Sequence, residues 1–137
     1  VKTFLDSSAF AKRFVDETGS DKVEDVCDRA SELGLSVICV PEIISALNRR
    51  RRERSLTELQ YSKAKQQLME DVRDADIINL AVPVVAFSLH VLEENPVRAM
   101  DALHIACAME WGAQLFVSSD RKQLRAAQRA GLKTHAV

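Results

Sequence analysis

An α/β fold with a mostly parallel central sheet is predicted for this chain, and two observations predict it. Short apolar runs rich in β-branched and aromatic residues alternate with one or two helical stretches from end to end, the pattern of a three-layer α/β/α domain. The run Leu35–Val40 is apolar apart from Ser36, as a strand buried on both faces requires. Length bounds the rest: 137 residues suit a single domain over 1–137. A domain of that size buries roughly two thirds of its unfolded surface, enough for a core without staples.

The elements follow in order. Val1–Leu5 reads as a strand. Asp6 stands where that apolar run stops, and Ser7 or Ser8 can cap a helix over Ala9–Val15. Asp16-Glu17-Thr18-Gly19 is a turn, and Ser20 opens a second helix carrying Val23, Val26, Cys27, Ala30 and Leu33, with Gly34 as its stop. After the strand Leu35–Val40, Pro41 sits in the first turn of a third helix that ends in Arg49, Arg50, Arg51, Arg52 and Arg54. Ser55-Leu56-Thr57-Glu58 matches a capping box and starts a long amphipathic helix to Ala75. Ile77–Ala81 is a strand, and Pro83 begins a helix reaching Glu94. Asn95-Pro96 is a break, and Val97–Trp111 is an apolar helix closed by Gly112. Gln114–Ser118 is a strand, Asp120–Ala130 a basic helix closed by Gly131, and Lys133–Val137 a last strand.

Bulk composition excludes several classes. Hydrophobic residues make up 47% and charged residues 28%, as in a soluble globular protein. The net charge of −1 gives no general attraction to nucleic acid, so any such contact needs a local patch. Cys27, Cys39 and Cys107 are odd in number and lack CxxC spacing, which points to reduced thiols and a cytoplasmic setting. Neither a membrane span nor a signal peptide is expected.

Four acids stand out by position. Asp6 ends the first strand, Glu42 follows the second, Asp101 interrupts Ala99-Met100-Asp101-Ala102-Leu103, and Asp120 follows the fourth strand. In a parallel sheet all can converge on the edge where ligands bind. Clustered carboxylates repel one another, so such a cluster implies a hard cation, Mg²⁺ or Mn²⁺ rather than Zn²⁺. Ordinary roles compete. Asp6 can be a turn or cap residue, Glu42 a first-turn acid facing the helix dipole, Asp120 an N-cap, and Asp101 a partner of Arg98.

At this point the chain resembles the PIN-domain family, and within it the VapC-type toxins of prokaryotic toxin–antitoxin pairs. The resemblance runs nearly end to end. It rests on Leu5-Asp-Ser-Ser-Ala-Phe-Ala-Lys12, Pro41-Glu-Ile-Ile-Ser-Ala-Leu47, Ala99-Met-Asp-Ala-Leu-His-Ile-Ala106 and Phe116-Val-Ser-Ser-Asp120. It implies five parallel strands in the order 3-2-1-4-5, with Asp6 and Asp120 flanking the switch point. It places the acidic site on Asp6, Glu42, Asp101 and Asp120, with the Ser118 hydroxyl supporting a carboxylate or a water. The implied activity is metal-dependent cleavage of RNA phosphodiesters, leaving 5′-phosphate and 3′-hydroxyl ends. Two Mg²⁺ or Mn²⁺ ions, or one with a second recruited by the substrate, would sit among the acids, one activating water and the other steadying the leaving oxygen. A homodimer and a small cognate antitoxin are implied too, the dimer supported by the apolar Leu59, Ala64, Leu68 and Val72 of the long helix.

Other residues weigh less. His90, His104 and His135 form no HxH or HExxH spacing; His104, three residues after Asp101, is placed to touch the site, with a packed histidine the favoured account. The arginine run reads as a solvated face. Within it Arg49 and Arg50, and earlier Lys12 and Arg13, are candidate contacts to RNA or a partner. Two further readings use acids differently. A receiver-type signalling module needs a paired acid after the first strand, and an aspartyl phosphatase needs one two residues after Asp6, but serines occupy those places. A silent PIN scaffold is disfavoured because all four acids are present.

Overall fold

The computed structural model describes all residues from Val1 to Val137. The first half runs β1 (Lys2–Leu5), α1 (Ser7–Phe10), a 3-10 turn over Ala11–Arg13, α2 (Ser20–Arg29), β2 (Glu32–Ser36), α3 (Cys39–Arg52) and α4 (Glu58–Arg73). The second runs β3 (Asp76–Ile78), α5 (Val82–Glu94), α6 (Ala99–Trp111), β4 (Leu115–Ser118), α7 (Arg121–Arg129) and β5 (Thr134–Ala136). The strands form one sheet in the order β3-β2-β1-β4-β5, and every neighbouring pair is parallel. Fold class and strand order match the expectation.

The two-residue period of the strands builds the layers. Phe4 and Phe116 point to one side, stacked with centroids 5.8 Å apart, and join a core with α5, α6 and α7. Leu5 and Val117 point to the other side and pack with α1, α2, α3 and α4. Burying a side chain of this size stabilises the fold by roughly 1.5–3 kcal/mol. Helix α6 has Ala102, Ile105, Ala106, Cys107 and Ala108 buried, so it is apolar nearly all round. It ends at Gly112, whose φ of +78° is the left-handed turn that glycine makes without strain.

Several boundaries differ from the sequence reading. Gly34 does not stop a helix: α2 ends at Arg29, and Gly34 lies buried inside β2. A Cβ there would sit 2.7 Å from the Trp111 ring, so the glycine makes room for an aromatic lid. The strand expected over Leu35–Val40 stops at Ser36, because Cys39 opens α3 and is buried as a helix residue. The capping box lies two residues later than Ser55–Glu58. Thr57 Oγ1 accepts from Gln60 N at 3.1 Å and Gln60 Oε1 from Thr57 N at 2.8 Å. Neither Ser7 nor Ser8 caps α1; Asp6 does, accepting from Ala9 N. No helix is long and apolar enough to cross a membrane.

Candidate active site

Asp6 continues β1 past its last pairing, Leu5 against Val117 of β4, and its N–H donates to Val117 O at 3.1 Å. Register therefore brings Asp6 beside Ser118. Ser118 Oγ donates to Asp6 Oδ2 at 2.6 Å, Ser8 Oγ reaches both carboxylate oxygens at 2.8 and 2.9 Å, and Ala9 N donates to Oδ1 at 2.9 Å. The carboxyl is 1% exposed. Burial pushes its pKa above the ordinary carboxylate range, although His104 and these donors pull the other way. Asp6 is a cap, as the ordinary reading had it, and also the most buried acid of the site.

Glu42 sits in the first turn of α3. Its Oε1 accepts from Ser7 Oγ at 2.6 Å and from His104 Nε2 at 2.6 Å. Burial raises Glu42, but these two hydrogen bonds and the electrostatic pull of His104 together outweigh it and hold the carboxyl below its ordinary value. His104, on α6, is 2% exposed and meets Phe4 edge to face. It is packed and it also touches the site, the two readings its sequence position allowed; that its partner would be Glu42 was not readable from the sequence. The only signal was its place one helical turn after Asp101. Its Nδ1 is buried without a partner.

Asp101 lies in the first turn of α6 and accepts from the Arg98 backbone N–H at 3.4 Å. It is half-buried. Burial raises it first; Asp120 and Glu42 push the same way, against the Arg98 N–H and His104. No ion pair forms with the Arg98 side chain. Asp120 is the N-cap of α7, with Oδ1 accepting from Lys122 N at 2.8 Å and Gln123 N at 3.2 Å. Ser118 Oγ accepts from Asp120 N at 3.0 Å, so one hydroxyl ties the chain at both acids.

The acids thus gather at the C-terminal edge of the sheet around β1 and β4, but on two openings. A cleft of about 350 Å³ between α1 and α3 is lined by Ser7, Ser8, Glu42, Glu17, Arg50 and Ser119, over the apolar Ile43 and Leu47. A second, of about 450 Å³, holds Asp101 and Asp120 with Arg98, Arg121 and Lys122. Asp6 lies buried and lines neither. His104 links the halves, since its influence reaches Asp6, Glu42 and Asp101. No three His, Cys, Asp or Glu side chains close around one ion in this arrangement, where Asp6 and Glu42 are held by serine hydroxyls and the imidazole. The donor chemistry fits a hard divalent cation: oxygen ligands of one charge sign, three of them without an ion-pair partner.

Three of the four basic residues singled out in the sequence are engaged inside the chain. Lys12 reaches Glu17 and the Thr18 carbonyl, Arg13 pairs with Asp71 at 2.8 Å and Glu24 at 3.1 Å, and Arg50 pairs with Glu17 at 2.9 Å. Arg49 is exposed and makes no ion pair.

The PIN domain family model matches residues 3–129. Ribonuclease VapC45 of Mycobacterium tuberculosis is 27% identical over 132 residues, which cover 95% of this chain and 92% of that protein. Among solved structures, the Mycobacterium tuberculosis toxin VapC20, described as cleaving the sarcin–ricin loop, superposes with a TM-score of 0.71 at 16% identity, covering 95% of both chains. A chain of a toxin–antitoxin complex from Klebsiella pneumoniae gives 0.68 at 13% identity, covering 89% of both.

Proposed function

The chain belongs to the PIN-domain family, and from that premise we propose that it is a metal-dependent endoribonuclease and the toxin of a toxin–antitoxin pair. The observation that carries the reading is the grouping of Asp6, Glu42, Asp101 and Asp120 at one sheet edge, with no cationic side chain paired to Asp6, Asp101 or Asp120. The names of the relatives support the substrate class.

Mg²⁺ or Mn²⁺ held by these acids would activate water and neutralise charge developing on the phosphate. The chain's own groups prepare the site. Ser118 and Ser8 fix Asp6, while Ser7 and His104 fix Glu42 and keep it ionised. The backbone of α7 orients Asp120, a residue of the second cleft's lining, through its Oδ1.

The proposed partners are RNA, a cognate antitoxin and a second copy of the chain. An antitoxin is expected to offer an Arg or Lys to the acids, because a guanidinium forms charge-assisted hydrogen bonds where a cation would bind. For the dimer, α5 presents exposed Val82, Val85 and Leu89 along one stripe, a better seam than α4, where Leu59 and Met69 are the exposed large apolar residues. A cytoplasmic location accords with the free thiols.

The test is cleavage of single-stranded RNA with Mg²⁺ or Mn²⁺, repeated after chelation. Cleavage that stops in EDTA and returns with added metal is expected. Undiminished cleavage after exhaustive chelation removes the metal from the proposal.

A further inference from the structure

We propose that Arg98, Arg121 and Lys122 form a phosphate-binding rim that draws the RNA strand across the cleft of Asp101 and Asp120. The proposal rests on the nuclease reading of those acids and names the residues that bring substrate to them. Two carboxylates repel a phosphodiester, and a net charge of −1 supplies no attraction from the rest of the molecule. At physiological salt, charges beyond about 8 Å are largely screened, so any offset has to be local. The second cleft supplies it: its lining has three cations against two carboxylates.

These cations are available because of how the acids are held. Asp101 is bound by the backbone N–H of Arg98, and Asp120 by the backbone N–H groups of Lys122 and Gln123. The main chain of the basic residues orients the acids, while their cationic heads stay exposed and outside every ion pair. Lys12, Arg13 and Arg50 differ, being neutralised by Glu17, Glu24 and Asp71. Arg98 precedes α6 and the other two open α7, so the heads flank the acids from two elements. Free Lys and Arg heads beside a nucleic acid act on phosphates, fixing register and adding salt-dependent affinity. An acidic peptide would gain the same contacts, but the two carboxylates of the cleft give it nothing to react with.

The experiment is fluorescence anisotropy of a short labelled single-stranded RNA in EDTA, titrated with NaCl, on the full chain. The proteins are wild type, Arg98→Ala, Arg121→Ala, Lys122→Ala, the triple variant, and Lys65→Ala on exposed α4 as control. Circular dichroism establishes that each is folded. The slope of log K against log salt should fall by about 0.7 for each cation removed, and by about 2 in the triple variant. Lys65→Ala should keep the wild-type slope. With Mn²⁺, single variants should raise KM and leave kcat nearly unchanged. A folded triple variant with wild-type affinity and slope overturns the rim. So does a polyglutamate peptide that displaces the RNA charge for charge, which would assign these residues to an acidic partner. Cleavage by wild type together with an unchanged slope sinks the rim and leaves the nuclease reading intact. Loss of slope without any wild-type cleavage sinks the nuclease reading and keeps the RNA contact.

Discussion

Ser118 Oγ donates to Asp6 Oδ2 at 2.6 Å, and the same oxygen accepts from Asp120 N at 3.0 Å. One buried hydroxyl thereby sets two acids from different strand ends. Ser118→Ala leaves the buried Asp6 carboxyl with one donor fewer. A hydrogen bond to a charged group contributes about 1.5–3 kcal/mol, so the variant should lose stability of that order in urea unfolding and lose cleavage as well. An unchanged unfolding midpoint would show that Ser8 and Ala9 alone satisfy Asp6.

The pH dependence of the metal-free protein has two opposing parts. Burial raises Asp6 and Asp101, so the folded chain holds those protons more tightly than the unfolded one. Their contribution is fully present below the unfolded pKa and is lost as pH rises through the folded one. Glu42 is depressed, so its contribution is present above the unfolded pKa and is lost as pH falls through the folded one. At neutral pH in EDTA, Asp101→Asn should therefore melt higher than wild type. The gain should stay below about 1 kcal/mol, because the group is half-exposed and solvent screens it. Glu42→Gln should melt lower. Urea unfolding of all three proteins at neutral and mildly acidic pH checks both signs, and the Asp101→Asn advantage should shrink in acid.

Cys39 is expected to be chemically silent. Burial pushes its thiol up to about 12, with Asp6 and Glu42 acting the same way against the influence of the Ser7 hydroxyl. A thiol reagent near neutral pH should leave Cys39 unlabelled in the native protein and label it in denaturant. Mass spectrometry of the labelled peptides reads the difference.

Gly34→Ala should destabilise the fold by about 1–3 kcal/mol, the usual cost of forcing a methyl into a packed interior. The methyl would meet Trp111, whose Nε1 donates to Asp76 Oδ2 at 3.0 Å and whose ring carries Lys2 Nζ at 4.4 Å. A denaturant midpoint equal to wild type would mean that the ring moves aside at no cost.

The sheet was legible because strand runs such as Val1–Leu5 carry the local signal and the acids mark their ends. Gly34 was misread because a glycine after an apolar helical pattern looks like a cap, and its reason, the Trp111 ring, lies far away in sequence. The same holds for the site. The four acids could be picked out one by one, yet the sequence could not say that Asp6 would be sealed under Ser8 and Ser118. Nor could it say that His104 would reach Glu42 across 62 positions. Basic residues were harder still, since Arg13 and Arg50 are neutralised by acids whose proximity only the fold creates. Arg98 entered the sequence reading only as an ion-pair partner of Asp101, which it is not in the fold, and Arg121 and Lys122 only as part of a basic helix.

The most direct measurement is a paired one on wild type and Asp101→Asn: RNA cleavage with Mn²⁺, and thermal melts of the same samples with EDTA and with Mn²⁺. A ligand that binds only the folded state raises its stability by mass action. Wild type should cleave and gain melting temperature with Mn²⁺, while Asp101→Asn should cleave little and gain less. If Asp101→Asn melts below wild type in EDTA, responds equally to Mn²⁺ and still cleaves, then Asp101 is a structural acid and the metal centre does not lie among these residues.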